Sequence, residues 1–269
     1  KDPLRLLRGP RLASQLGFVL SDDTEDAIRS NAHLIAGVSQ ERIRDELLKL
    51  IEPSGATESL RLLDKLGLLR WIIPELENAR QVGQPPEHYW DVFDHSIETV
   101  GQVEMLVGDR MISDVVSETP WVESLGPYFQ EKVSDGHSRH TMLKLAALLH
   151  DIGKPACKTI EASGKIRFLG HHTFGAEVSS DILNRMRIGG DGVDLVSRMV
   201  KHHLRPSQMA QPGELPSQRA IYRYYRDLRD VAIDTLFLNL ADYLAARGPM
   251  LDFDDWSKHC RVIQHIFNS

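Results

Sequence analysis

The stretch that most constrains this 269-residue chain is Leu145-Ala-Ala-Leu-Leu-His150-Asp151-Ile-Gly-Lys154-Pro155. An apolar helical turn delivers an imidazole and a carboxylate side by side, and Gly153 and Pro155 then stop the helix. Neighbouring helical residues point about 100° apart, so two of them rarely serve one small target from mid-helix. At a helix end the geometry relaxes, and both groups can turn to one cation if other segments supply partners. The candidates are His95, His171, His172, His202, His203 and Asp242, all on segments that read as helices or helix starts. Histidines and aspartates without clustered cysteines favour Zn, Mn, Fe, Ni or Mg over a structural thiolate site.

Composition sets the outer limits. A hydrophobic fraction of 42% and a charged fraction of 26% describe an ordinary globular chain with enough length for a core. The net charge of −6 argues against wholesale coating of nucleic acid and leaves room for a local basic patch. Cys157 and Cys260 are too few for a disulfide framework, which fits a reducing cytoplasm. No apolar run of about 18 residues is present, so no membrane span is expected. The chain opens on Lys1, which reads as a fragment of something longer.

Periodicity predicts an all-α fold in two parts. Residues 1–85 read as several short helices. Ser39 is placed to cap a helix over Gln40–Ile51, whose Ile43, Leu47, Leu48 and Ile51 share one face. Gly83, Pro85 and Pro86 mark a boundary or linker. Residues 86–269 read as a larger helical bundle: Asp91–Val107 carrying His95, Thr141–Asp151 at the centre, a helix from Thr173 or Phe174 to about Arg187, and Val193–His203. Further helices are expected near Ser217–Arg226, Asp230–Ala246 and Asp252–Phe267. Residues 109–140 read as less regular. The one hairpin signal is Lys158–Ile160 with Lys165–Phe168 across Ala162-Ser-Gly164.

The second half resembles the HD-domain metal-dependent phosphohydrolases. Their pattern is a histidine, a distant His-Asp pair and a distant aspartate. Here the matching residues are His95 in Asp91-Val-Phe-Asp-His95, His150-Asp151 followed by Ile152-Gly-Lys154-Pro155, and Asp242 in Leu240-Ala-Asp242. The first half resembles the helical body of bacterial tRNA nucleotidyltransferases and poly(A) polymerases. Asp2–Arg8, Arg11–Phe18, Ile28–Leu34 and Val38–Leu48 carry that likeness. Together they imply the C-terminal part of such a protein, a helical body followed by an HD domain. Neither Asp22-Asp23 nor Asp252, Asp254 and Asp255 follow a Gly-Ser turn on a strand pattern. Nucleotide addition is therefore expected only of a longer parent that carries the polymerase head.

The resemblance implies one or two divalent ions (Mg, Mn, Ni, Fe or Zn). His95, His150, Asp151 and Asp242 would hold one, and His171 and His203 would complete a second site bridged by Asp151. It favours His171 over His172, because His171 directly follows Gly170, and His203 over His202, because His203 lies three before Pro206. Asp151 would orient the attacking water, and Lys154 and Arg205 would contact a substrate phosphate. Arg5, Arg8 and Arg11 are the candidate RNA contacts. The expected partners are tRNA or an RNA 3′ end and nucleotide phosphates. The remaining histidines, His88 among them, receive no role. Tyr222, Tyr224 and Tyr225 beside Arg219, Arg223 and Arg226 offer a stacking, phosphate-binding face, although a helix with one core face and one solvent face is the preferred reading. Two functions follow: a phosphohydrolase acting on nucleotide or RNA-end phosphates, or a tRNA-binding module whose HD site is vestigial or structural.

Overall fold

The computed structural model describes residues 2–108, 113–209, 211 and 213–269, which form helices joined by short turns and two small hairpins. The first half begins with α1 (Arg5–Leu16), closed by Gly17 in the left-handed region at φ 67°, so that the Gly17 and Phe18 amides return to the Ser14 and Ala13 carbonyls. The second helix, α2 (Asp22–Asn31), starts on Asp22, Asp23 and Glu25, where carboxylates meet the positive end of the helix dipole. Next, α3 (Gln40–Ile51) buries Ile43, Leu47, Leu48 and Ile51 along one stripe. Then α4 (Ala56–Lys65) and α5 (Leu69–Ile72) complete this half.

The second half is built around α6 (Val92–Val107), capped by the Asp91 carboxylate, which accepts the Asp94 amide at 2.8 Å. Short helices α7 (Asp114–Glu118) and α8 (Leu125–Gln130) lead to the antiparallel pair β1 (Lys132–Ser134) and β2 (His137–Ser138). The next helix, α9 (Arg139–Leu149), is buried along its whole length. After α10 (Lys154–Cys157) come the hairpin β3 (Thr159–Ile160) and β4 (Ile166–Arg167), then α11 (His171–Arg185), α12 (Gly190–His202) and α13 (Arg205–Gln208). The chain finishes with α14 (Gln218–Leu228), α15 (Ala232–Arg247) and α16 (Phe253–Phe267). Helices α6, α12 and α15 all pack on α9, and α11 lies along α12. Among the described residues, no helix is long and apolar enough to cross a membrane.

Two departures from the sequence reading have physical reasons. A second hairpin, β1–β2, lies in the region expected to be irregular, of which residues 109–112 fall outside the described residues. It turns on Asp135 (φ 49°) and Gly136 (φ 77°), the backbone that a two-residue hairpin requires. Helix α12 starts at Gly190 rather than Val193, so Gly190 and Gly192 belong to the helix and not to the turn. Gly192 is needed there for closeness, since a Cβ would stand 2.4 Å from Ser134 Oγ.

The two halves share one contiguous apolar core that runs from Leu4 to Ile266. The buried Lys144 ammonium on α9 donates to the carbonyls of Ile51 (2.9 Å) and Pro53 (2.8 Å) past the end of α3, and to Glu104 Oε1 on α6 (2.7 Å). The Arg80 guanidinium lies 3.8 Å from the Phe93 ring centre, and Arg61 pairs with Asp94 and Glu98 on α6. The two halves are therefore tied to each other by polar contacts as well as by the core.

Candidate metal centre

Five helix ends and one helix interior deliver the polar groups. His95 sits in the first turn of α6, His150 at the C-cap of α9 with Asp151 next to it, and His171 is the first residue of α11. His203 occupies the C-cap of α12, Lys154 begins α10, and Asp242 lies within α15. Gly153 lets these elements converge. A Cβ there would stand 2.3 Å from the His171 carbonyl and 2.7 Å from the Gly175 nitrogen, so only glycine lets α11 come this close behind Asp151. Gly170, at φ 80°, turns the chain directly into His171. That is why α11 starts at His171 and not at Thr173 or Phe174.

The donor atoms crowd together. His95 Nε2 lies 3.1 Å from His150 Nε2, 3.0 Å from Asp242 Oδ1 and 3.4 Å from Asp151 Oδ2. His150 Nε2 is 3.2 Å from Asp151 Oδ2 and 3.6 Å from Asp242 Oδ1. On the other side of Asp151, its Oδ1 is 3.3 Å from His171 Nε2 and 3.7 Å from His203 Nε2. Atoms bound to one ion at about 2.1 Å stand about 3.0–3.4 Å apart, the spacing found here. His95, His150 and Asp242 form one possible ion-holding group, and His150, Asp151 and His203 a second.

Hydrogen bonding points the same way. His150, His171 and His203 each donate Nδ1–H to the carbonyl three residues earlier, on Ala147 (2.7 Å), Phe168 (2.7 Å) and Val200 (2.6 Å). Those bonds fix the ring orientations and turn Nε2 inward. Asp151 Oδ1, His171 Nε2 and His203 Nε2 are buried without a hydrogen-bond partner, and Asp151 Oδ2 is paired with the Lys154 ammonium. Such groups each cost about 1–3 kcal/mol when unpaired. The donor set suits a divalent cation bound by nitrogen and oxygen.

The electrostatics are those of a site made for positive charge. Burial favours the neutral forms of the Asp151 and Asp242 carboxyls, yet His150 beside both, Lys154 beside Asp151 and His95 beside Asp242 hold them well below the usual carboxylate range. Burial also opposes a proton on His150, but the two carboxylates outweigh it and push its pKa up to about 10. His203, buried and facing the His150 charge, is pushed down to about 3.

A cleft of about 870 Å³ opens onto Asp151, Lys154, His171 and Asp242. Lys154 Nζ lies 2.5 Å from Asp151 Oδ2 and donates to Gln84 Oε1 at 2.6 Å. The β3–β4 hairpin forms one wall and residues 84–88 the other. His88, passed over in the sequence reading, lines this cleft with its ring centre 5.7 Å from that of His95. A short Pro85-Pro86 segment gives no signal of where it folds back, so sequence offered no route to His88 or Gln84.

The remaining candidates are distributed as follows. His171 and His203 face Asp151, although of the two only His203 belongs to an ion-holding group, whereas His172 and His202 are only half-buried. Arg205 is turned away from the cleft: its guanidinium pairs with Asp227 at 2.9 Å and stands 5.9 Å from the Tyr224 ring centre. Arg8 and Arg11 both pair with Glu46, at 3.0 and 2.6 Å, while Arg5 is exposed on α1. The structure does not bring these arginines to the Asp151 cluster.

Residues 17–80 match the family described as probable RNA and SrmB- binding site of polymerase A, and residues 92–247 match the HD domain family. The A-adding tRNA nucleotidyltransferase of Deinococcus radiodurans is 33% identical over 255 residues, 92% of this chain and 50% of that protein. The CC-adding tRNA nucleotidyltransferase of Thermus thermophilus is 31% identical over 255 residues, again 92% of this chain and 50% of that protein. A CCA-adding enzyme of Geobacillus stearothermophilus is 46% identical over 90 residues, 34% of this chain and 22% of that enzyme. The chain belongs to the HD-domain family, with an RNA-binding-type region ahead of the HD domain. It is homologous to tRNA nucleotidyltransferases over 92% of its length and spans about half the length of the first two relatives.

Proposed function

We propose that the Asp151-centred cluster is a divalent-metal phosphohydrolase site acting on phosphodiesters or phosphomonoesters of nucleotides or RNA 3′ ends. In this reading the chain is part of a cytoplasmic RNA-processing protein of the tRNA nucleotidyltransferase kind, which takes tRNA as its partner. The observation that carries it is the set of buried, unpartnered donors converging on Asp151 from separate helices.

His95, His150, Asp151 and Asp242 would hold one ion, and His171 and His203 together with Asp151 would hold a second. A bound ion of this kind supplies Lewis-acid polarisation of a phosphoryl oxygen and acidifies a coordinated water. The chain's own residues do the rest. Asp151 offers one oxygen to each side of the cluster and orients the attacking water. The Nδ1 bonds of His150, His171 and His203 keep their rings from turning. Lys154 presents a point charge to a substrate phosphate, and Gln84 holds it at the cleft wall. Residues 1–85 act as an RNA-binding body and residues 86–269 as the hydrolytic domain, a division supported by the gap between the two family matches.

Elemental analysis of wild type and Asp151→Ala, purified without chelator, tests this together with hydrolysis of cyclic nucleotides, nucleoside monophosphates and an aryl phosphodiester. One or two equivalents of transition metal, lost with activity in the variant, are expected. Metal-loaded protein that hydrolyses none of these substrates sinks the proposal. One contact favours the second reading, an RNA-binding module with a vestigial site: Lys154 already places a cation 2.5 Å from Asp151 Oδ2. Salt-dependent tRNA binding that survives His150→Ala and Asp151→Ala, in protein that takes up no metal, would select it.

A further inference from the structure

A second groove, of about 820 Å³, lies along α14 and is separate from the Asp151 cleft. Gln218, Ile221, Tyr222 and Tyr225 follow the i, i+3, i+4, i+7 spacing and line it, with Tyr128 and Phe267 opposite. The adjoining stripe of the same helix is Arg219, Tyr222, Arg223 and Arg226, all exposed. Tyr222 belongs to both stripes and is 68% exposed, an unusual place for a large aromatic ring.

The three tyrosines of α14 have separate fates. Tyr224 is core, fully buried with its hydroxyl donating to the Ala232 carbonyl at 2.6 Å. Tyr225 is fixed as a groove wall by a 2.9 Å bond from its hydroxyl to the Ile266 carbonyl. Tyr222 lines the groove with most of its side chain open to solvent. Arg219 and Arg223, one turn apart, make no ion pair or hydrogen bond among the described residues, whereas Arg226 is neutralised by Asp227 at 2.7 Å. In a chain of net charge −6, two unpaired guanidiniums beside an exposed ring and an aromatic-walled groove form a local exception.

We propose that this face binds unpaired RNA nucleotides, one base seating in the groove against Tyr222 and Tyr225 while Arg219 and Arg223 take the flanking phosphates. Stacking needs only the π-face of a base, and planar guanidiniums fork onto phosphate oxygens, so the pairing is suited to single strands and tolerant of sequence. A volume of about 820 Å³ falls among the roughly 300–1,000 Å³ sites that enclose small ligands, room for a base and its ribose. Apolar side chains of a protein partner would fill the groove equally well but would leave both arginines unanswered. Charge complementarity selects RNA.

The test is fluorescence anisotropy of the whole chain with a short unstructured RNA and with a duplex of equal length, for wild type, Tyr222→Ala and the pair Arg219→Gln/Arg223→Gln. All three residues are exposed, and circular-dichroism melting checks that the fold is intact. Tyr222→Ala is expected to weaken single-strand binding by about 5- to 100-fold while changing duplex binding little. The arginine pair is expected to lower the log–log salt slope by about 1.4, near 0.7 per lost phosphate contact. A 4-thiouridine oligonucleotide is expected to cross-link to Tyr222 or Tyr225. Wild-type affinity in both variants, cross-links confined to other segments, or no RNA binding by wild type would each overturn the proposal. A loss of self-association without a change in RNA affinity would overturn it too, and would assign the face to a protein.

Discussion

Two buried charge clusters meet α9, one at its middle and one at its C-terminal end, and obey opposite rules. At one, the Lys144 ammonium reaches the Ile51 and Pro53 carbonyls and Glu104 Oε1 within 2.9 Å, and Glu104 accepts the Ala56 amide at 3.1 Å. Donor and acceptors answer each other there, and the cluster ties the first half to the second. At the other, Asp151 Oδ1 and the inward nitrogens of His171 and His203 are as deeply buried but have no hydrogen-bond partner, and Asp151 Oδ2 meets the Lys154 ammonium, at 2.5 Å. Burying polar groups unpaired is costly, and such arrangements persist where surrounding structure over-determines them. The satisfied cluster serves the fold; in our reading the unsatisfied one serves a ligand.

The sharpest break in that comparison is Asp151→Asn, which keeps the shape and removes the charge. Bound metal is expected to be lost and hydrolysis of an aryl phosphodiester to fall about 10³-fold, read by elemental analysis and initial rates. Retained metal and activity would place the chemistry elsewhere. Lys144→Met should do the reverse. It leaves Glu104 and three backbone carbonyls, those of Ile51, Glu52 and Pro53, without their cation, so urea denaturation is expected to show a loss of about 3–5 kcal/mol, with metal content per folded molecule unchanged. If metal is lost as well, the two clusters are one unit and the contrast fails. Gly153→Ala lies between them in effect. Its Cβ must push α11 back, at about 1–3 kcal/mol, and draws His171 Nε2 away from Asp151 Oδ1. Metal titration is then expected to weaken the second equivalent before the first, and equal weakening of both would argue against two separable ions.

These clusters were not equally legible in the sequence. His95, His150, Asp151 and Asp242 could be grouped because their order along the chain resembles the HD-domain pattern, and the helix bounds at Gln40–Ile51 follow directly from apolar spacing. The Lys144 clamp leaves none: its partners lie about ninety residues away and are mostly backbone carbonyls, which every residue has. The same holds for Arg8 and Arg11, whose shared Glu46 is 38 and 35 residues distant. Residues 81–87 read as a linker because glycine and prolines announce the absence of a helix and nothing more. Their place beside the cleft depends on the Gln84–Lys154 bond and on the Tyr89 amide donating to the Ala246 carbonyl at 2.8 Å. The Asp135-Gly136 turn is different, since that dipeptide is a hairpin signal and could have been used.

The smallest expected effect tests burial itself, away from any ligand. His140 lies on α9 one turn from Lys144, is 8% exposed, and its Nε2 is buried without a partner. Burial, helped by the Lys144 charge, pushes its pKa down from 6.5 to about 3. Between those values the unfolded chain binds a proton that the folded chain refuses. This group's contribution to stability is therefore full above pH 6.5 and is lost as pH falls toward 3. His88, His202 and His259, each pushed down to about 4 by burial, add to the same trend, so the wild-type profile alone does not isolate His140. His140→Gln removes one titrating group and nothing from the Asp151 cluster. The difference between wild-type and variant unfolding free energies, measured in chelator from pH 7 to pH 4, should change by about 1.4 kcal/mol per pH unit over the middle of that range. A difference flat in pH would mean that His140 protonates in the folded state with solvent's help, and that the surroundings of Lys144 on α9 are wetter than its hydrogen bonds imply.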